Sequence, residues 1–361
     1  MSSSTSNATL AKQQLESRFF RKGLTLAILS GMFYGLYTAF ITLGMSLGVW
    51  DDWYGANTAA LTAITITFGL GALGSAINYS ISAVWGLGIA GVRGKLGDFF
   101  RSLKSRPGRI MVIAALVGGP ISTSAYVIGL QLAGSIIVPI AALCPAIGAI
   151  LGRILYKQKL NKRMVFGIVV CLIASFIIGL QSVAPDAPPT MLLGIAIAFI
   201  AAIGWGFEGC VAGYGTAMID FEIGILIRQS VSGLAALFIL TPLFLFIGGD
   251  ASRTLSIIGQ AVTDSSAMPF FIISGFFTLY AFSLWYKGNA MCGTALGMAA
   301  NGAFSFWGPF FCWIVLGVIW GQDGWALPPV VWLAAILMFV GILFIAVNPF
   351  AVFKKKGVAT S

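Results

Sequence analysis

A single carboxylate set deep in an apolar stretch is the strongest chemical signal in this chain. Glu208 lies in the segment AAIGWGFEGCVAGYGTAMIDFEIGILIRQ, residues 201–229, three positions after Trp205 and so on the same helical face. Arg228 opens the next apolar run. A carboxylate at the centre of a membrane helix costs roughly 2.5–3.5 kcal/mol on insertion scales, so Glu208 is expected to face a cavity or a partner. It can serve there as counter-charge to a cationic substrate, as a proton-coupling acid, or as both in turn. The structural alternatives are an ion pair with Arg228 or Lys287, or a protonated, hydrogen-bonded acid. Arg228, close to Asp220 and Glu222 at the edge of its run, is expected to form a structural or gating pair.

Aromatic rings supply the other half of a site. Many of them suit interfacial belts, Trp50, Trp53 and Trp325 for instance. A smaller set is expected to face inward: Tyr34, Tyr37, Trp205, Tyr280, Phe304 and Trp307. Any one of these alone is ordinary core packing. Gathered round one negative charge, they suit a quaternary ammonium, which donates no strong hydrogen bond and is held by cation–π contact. Asn301 adds a polar handle.

The elements that must position these groups are membrane helices. The 361 residues are 58% hydrophobic and only 9% charged, far from the roughly 25% charged of soluble domains. Apolar runs predict ten spans, near 24–49, 57–91, 110–131, 134–156, 164–181, 190–215, 223–247, 268–288, 291–318 and 329–350. The second is long enough to be tilted, broken or extended beyond the bilayer. The first apolar run is too long for a signal-peptide core and is expected to remain as a span. With the N-terminus in the cytoplasm, 18 of the 21 Lys and Arg fall in the N-terminal tail, the second-to-third and fourth-to-fifth connections and the C-terminal tail. Asp51, Asp52, Asp186, Asp250, Asp264 and Asp323 fall opposite. This positive-inside pattern puts both termini in the cytoplasm and accounts for the net charge of +10 without nucleic acid.

Several chemistries are excluded or disfavoured. There is no His, which removes His triads, His metal sites and His switches. The five Cys lie in apolar runs without CxxC spacing and read as packing residues. No paired embedded carboxylates and no Ser–Lys couple stand out, so an intramembrane enzyme is disfavoured, and no catalytic residue, metal or cofactor is expected. Gly69, Gly71 and Gly74 match GxGxxG in form, but they sit in a span and read as a helix-packing face. Prolines inside spans (Pro120, Pro139, Pro145, Pro242, Pro309) predict kinks or hinges, and Pro139 and Pro145, two within one span, are the better hinge candidates.

Divided five and five, the spans echo each other. Gly31–Gly35, GMFYG, parallels residues 202–206, AIGWG; Tyr126 parallels Tyr280; Pro145 has a loose counterpart in Pro309. An odd number of spans per half makes the repeats inverted, an architecture of secondary transporters with a midplane site between the halves.

Tyr126, Leu130, Gln131, Gly134, Ser135 and Pro145, within this five-plus-five plan, resemble the drug/metabolite transporter superfamily with its EamA-type repeats, over roughly residues 22–350. Within it the chain is most similar to bacterial choline transporters of the licB type. That likeness is carried by LSGMFYGL (29–36), Gly119-Pro120-Ile121, Trp205-Gly206-x-Glu208 and Leu226-Ile227-Arg228-Gln229, with Tyr280, Asn301 and Trp307 at matching places. Tyr34 stands where that group often has Trp, and Phe304 where Tyr is expected. The resemblance implies a plasma-membrane importer of choline or a related quaternary ammonium, proton-coupled, with an aromatic cage around the substrate. An exporter of amino acids, drugs or other metabolites on the same scaffold is the alternative. The expected organisation is a cytoplasmic tail (1–22), two five-helix repeats (23–182 and 190–350) and a basic cytoplasmic tail (351–361). A homodimer is compatible with the sequence but not demanded by it.

Overall fold

The structure, a computed structural model, describes residues 2–55, 61–157, 161–185, 187–216, 218–292 and 294–346. The basic tail expected over 351–361 lies outside them. The chain is an all-α, multi-pass membrane protein: seven helices among the described residues are long and apolar enough to cross a bilayer. Two shorter apolar helical stretches, Phe304–Ile319 and Pro329–Ile345, accompany them.

α1 runs from Ser2 to Gly44 without interruption. The polar segment expected as a tail is therefore the first part of that helix, because 8–22 holds Ala, Leu, Lys, Gln and Glu and no Gly or Pro. A short α2 (Val49–Tyr54) follows, and a π-helical turn (Thr65–Gly69) leads into α3 (Leu70–Val92). The over-long second span is thus a 28-residue helix preceded by a separate short one. α4 (Leu96–Lys104) and α5 (Arg106–Leu116) meet at Ser105, whose hydroxyl accepts from Gly108 N, with Pro107 in the first turn. A second π segment (Val117–Thr123) connects α5 to α6 (Ser124–Ala133).

The chain breaks at Gly134, where φ is +66°, a conformation that favours glycine. α7 (Ile137–Ala141) and α8 (Cys144–Tyr156) then form an interrupted helix, followed by α9 (Lys162–Gly179) and α10 (Met191–Thr216). α11 (Phe221–Ala235) passes through a π turn (Ala236–Leu240) into α12 (Thr241–Gly248). α13 (Thr254–Thr263), α14 (Met268–Cys292), α15 (Thr294–Asn301), α16 (Phe304–Cys312) with its π extension Trp313–Ile319, and α17 (Pro329–Ala346) complete the chain.

The prolines track these irregularities. Pro139 and Pro145 occupy the first turns of α7 and α8, where a missing N–H costs nothing, with the break between them. Pro120 sits inside a π segment, and Pro242 follows one directly. Pro309, inside α16, precedes another.

α14 lies along α1 and α3, and α1 also packs on α16. α10 packs on α5, α6 and α8; α11 packs on α3 and α5; α9 pairs with α17. Polar groups join the first set: Asn78 donates to Thr278 Oγ1 (2.9 Å), and Ser274 Oγ donates to Asn78 Oδ1 (2.8 Å) and to Tyr37 O (3.0 Å). The GxGxxG glycines behave as a packing face, with Ile128 against Gly71 and Met45 against Gly74.

Both ends of the bundle are tied by charge. At one end Glu222 accepts from Arg93 and from Lys95 (2.8 Å), and Lys95 also reaches Asp220 (3.4 Å), joining the α3–α4 turn to the start of α11. The bond to Glu222 holds the Lys95 ammonium above the usual lysine range. At the opposite end Asp250 accepts from Thr62 N (3.1 Å) and Thr62 Oγ1 (3.2 Å). Asp264 there accepts from the backbone N–H of Val49, Ser266 (2.7 Å) and Ala267 (3.1 Å).

Partial burial opposes ionisation of Asp264, but the three N–H groups outweigh it and hold the carboxyl below its usual range. A depressed native value contributes stability that is present above the unfolded value, near 3.9, and is lost as pH falls through the native value. Asp264→Ala is therefore expected to cost about 1.5–3 kcal/mol at neutral pH. Thermal unfolding between pH 3 and 7 checks it: the variant should lack the part of the acid destabilisation that the wild type shows below about pH 4.

Candidate functional site

Glu208 projects from α10 and Arg228 from α11, and neither side chain is exposed at all. They form a forked pair: Arg228 Nε donates to Glu208 Oε1 and Nη2 donates to Oε2 (2.9 Å). Tyr286 OH on α14 donates to Oε1 (3.1 Å). The remaining guanidinium nitrogen, Nη1, donates to Tyr79 OH (3.1 Å) on α3 and to Gln229 Oε1 (3.2 Å). The guanidinium carbon lies 3.6 Å from the ring centroid of Phe282 and 5.2 Å from that of Tyr79, within cation–π range. Each charge thus has its opposite, and the leftover donors meet oxygens or ring faces, which is the condition for burying an ion pair.

The sequence around the pair explains its placement. A Cβ on Gly118 would fall 1.9 Å from Glu208 Oε2, so the carboxylate occupies the space a side chain would need. Gly118 belongs to the π segment with Pro120, where Ser122 Oγ donates to Val117 O (2.7 Å) and Thr123 Oγ1 to Gly118 O (3.1 Å). Those hydroxyls satisfy carbonyls that the loosened ladder leaves open. Trp205, one turn before Glu208, donates its ring N–H to the same Gly118 carbonyl (2.9 Å). Thr123 also hydrogen-bonds Tyr79 OH, closing a circuit back to Arg228.

Beside the pair lies a ring cluster centred on Tyr34. Its centroid is 4.3 Å from that of Phe304 (stacked), 4.6 Å from Tyr37, 5.6 Å from Trp205, 5.7 Å from Tyr126 and 6.0 Å from Phe282. Phe282 is common to the cluster and to the Arg228 enclosure. Tyr126 OH is bonded to Thr38 Oγ1 (2.8 Å), and the hydroxyls of Tyr34 and Tyr37 are buried beside each other.

Of the residues expected at the site, the structure gathers Tyr34, Tyr37, Trp205, Phe304, Glu208 and Arg228, the last as one of the two ion-pair partners considered for Glu208. It sets three apart. Tyr280 lies tilted against Phe276 (4.7 Å) and Phe33 (6.1 Å) and lines a cavity of about 190 Å³ with Lys287, Arg93 and Lys95. Trp307 points into a separate group with Phe306, Phe310 and Phe311. Asn301 donates to Ser30 Oγ (2.7 Å), tying α15 to α1. Arg228 is not at a helix edge beside Asp220 and Glu222; those acids are taken by Lys95 and Arg93. Lys287, the other partner considered for Glu208, lies over the Phe221 ring at 5.0 Å. Pro139 and Pro145 flank the α7–α8 break, and both of those helices pack on α10, which carries Glu208.

Tyr79, Phe282, Tyr286 and Gln229 complete the enclosure; the first three were not singled out by sequence, and Gln229 entered only as part of the Leu226–Gln229 stretch. One signal bore on them: an arginine within a span needs acceptors, and Gln229 adjoins it. The other three come from distant helices that only the fold brings together.

No family model matches the chain, and no curated protein matches it. A solved structure described only as the crystal structure of a protein is similar in fold, with a TM-score of 0.51 and 16% identity over 95% of this chain and 99% of that one.

Chemically, the site is a neutral pair of opposite charges walled by rings. Glu208→Gln alone is expected to destabilise the protein by about 3–5 kcal/mol, because it leaves the Arg228 charge buried without its counter-ion. The double variant Glu208→Gln/Arg228→Met should regain most of that loss. A double-mutant cycle on thermal unfolding in one detergent measures the coupling; additive losses would show that the two charges do not depend on each other.

Proposed function

We propose that this protein is a secondary transporter that imports a small solute bearing a quaternary ammonium, choline or a relative, across the plasma membrane. The observation that carries the reading is the seating of Arg228. A cation is already held inside the membrane bundle by one carboxylate and the faces of aromatic rings. A cationic head group asks for the same chemistry.

The packing supports an inverted repeat. Let each span of the first half stand for its counterpart in the second. The contact of α1 with α14 then corresponds to that of α10 with α5–α6, α1 with α16 to α10 with α8, and α3 with α14 to α11 with α5. The pairs α3–α11 and α9–α17 correspond to themselves. The fourth and ninth spans are both interrupted, at Ala142–Leu143 and at Gly302–Ala303. Gly35 and Gly206, equivalent in the repeat, both meet backbone of those spans, at Trp307 and at Cys144 and Gly148. Tyr34 and Trp205, also equivalent, touch at the centre. Such a plan places a site between two halves that rock about it. Both termini then face the cytoplasm, with the basic end carrying Arg93 and Lys95. The likeness to the drug/metabolite transporters and their choline importers points the same way, and proton coupling belongs to that reading.

Uptake of labelled choline into proteoliposomes, with and without an inward proton gradient, tests it. Wild type should accumulate choline, faster with the gradient. Glu208→Gln should lose uptake by about tenfold or more, and Tyr34→Leu, which leaves the ion pair intact, should weaken it. Normal uptake by Glu208→Gln at equal reconstituted amounts would refute the role of Glu208. No uptake by wild type, with no thermal stabilisation by a panel of quaternary ammoniums, would refute the substrate.

A further inference from the structure

The enclosure around Glu208 has a feature that a simple cation site lacks. Its positive charge belongs to the protein, and an arginine keeps that charge at any physiological pH. Among the described residues no other carboxylate is buried inside a span; Asp250, the other buried acid, lies at the end of α12. A bare cation joining Glu208 would therefore leave one uncompensated positive charge in a region shut off from water, where it is costly. A solute carrying both charges leaves none.

The unsatisfied donor points the same way. Gln229 Nε2 is buried and lacks a hydrogen-bond partner, while both oxygens of Glu208 are engaged. An amide N–H₂ can only donate, so a buried one asks for an acceptor. A trimethylammonium group offers none and the hydroxyl of choline a single oxygen; a carboxylate offers two. Gln229 is already fixed beside Arg228 through its Oε1, so the free amide N–H₂ and the guanidinium belong to one donor group.

We infer that the solute is a zwitterion that binds by parting the Glu208–Arg228 pair. Its ammonium takes the place of the guanidinium against Glu208 and the rings. Its carboxylate takes the place of Glu208 against Arg228 and Gln229. When the solute leaves, the pair closes again, so the buried site is neutral both loaded and empty. The inference rests on the proposed transport of a quaternary ammonium and narrows it to one that also bears a carboxylate.

Binding to the full-length wild-type protein tests it, by titration calorimetry with four probes: trimethylglycine, choline, 3,3-dimethylbutanoate and glycine. Trimethylglycine should bind at least about tenfold more tightly than choline, which lacks the carboxylate, and than 3,3-dimethylbutanoate, which lacks the positive charge. Choline binding as tightly as trimethylglycine would overturn the inference and leave the proposed function standing. Glycine binding in the absence of both quaternary compounds would uphold a zwitterion and overturn the quaternary-ammonium reading. Binding of none of the four overturns both. Gln229→Leu, which leaves both charges in place, should weaken trimethylglycine by roughly threefold to tenfold more than it weakens choline; equal loss for both ligands would also count against the carboxylate.

Discussion

The burial of one ion pair governs the middle of this molecule. Two unit charges withdrawn from water are tolerable only when geometry is close and the remaining donors and acceptors are met. Meeting them takes groups from five segments: the carboxylate from α10, the guanidinium from α11, Tyr79 from α3, Phe282 and Tyr286 from α14, and the void at Gly118 from the π segment after α5. Moving any of these by an ångström or two would strand a charge. In a lipid environment, where apolar contacts between helices give little net drive to associate, such polar demands carry much of the specificity of packing.

Of the irregular helical segments, one serves that centre directly. The π segment at Val117–Thr123 brings Gly118 under Glu208, and its loosened carbonyls are met by Ser122, Thr123 and Trp205. The interruptions at Ala142–Leu143 and Gly302–Ala303 divide two helices, and Phe304, stacked on Tyr34, begins the second half of one of them. The charged contacts lie at the two ends, Glu222 with Arg93 and Lys95 at one and Asp250 and Asp264 at the other. The centre is thus a neutral pair, with helix breaks in neighbouring elements and polar ties at both ends.

Much of this architecture was legible because hydrophobic periodicity and length report spans directly. The expected edges fall within a few residues of the helices over 162–248, where no insertion disturbs the pattern. The helical state of the first residues was not legible for a physical reason: polarity marks where a helix leaves the lipid, and helix propensity carries α1 on beyond it. The site was legible in part. Glu208 stood out because an embedded acid is costly, and the Tyr34, Tyr37, Trp205 and Phe304 rings followed from facing it. Arg228 looked like an edge residue because Asp220 and Glu222 lie within two turns of it, and linear distance outweighed the possibility that those acids look the other way. Tyr280 and Trp307 were drawn in by residue type. Which face of a uniformly apolar helix looks inward is a property of its neighbours, and no hydrophobic stripe distinguishes it.

Phe282 decides how the ring cluster and the ion pair can act together. Its face holds the Arg228 guanidinium at 3.6 Å, and its ring also meets Tyr34 at 6.0 Å, so it is a wall shared by the two compartments. A cation held between two ring faces needs each within about 6 Å of the charge, with room for the cation itself. The Tyr34–Phe304 stack, at 4.3 Å between centroids, has no such room. On the proposed binding of a cationic head group, entry from the Tyr34 side would separate those rings, and contact with Glu208 would require Arg228 to leave its place on Phe282. Separation of the rings and parting of the pair would then be linked through Phe282. A solute that opened the rings without satisfying the released guanidinium would gain the aromatic contact and bear the cost of the stranded charge.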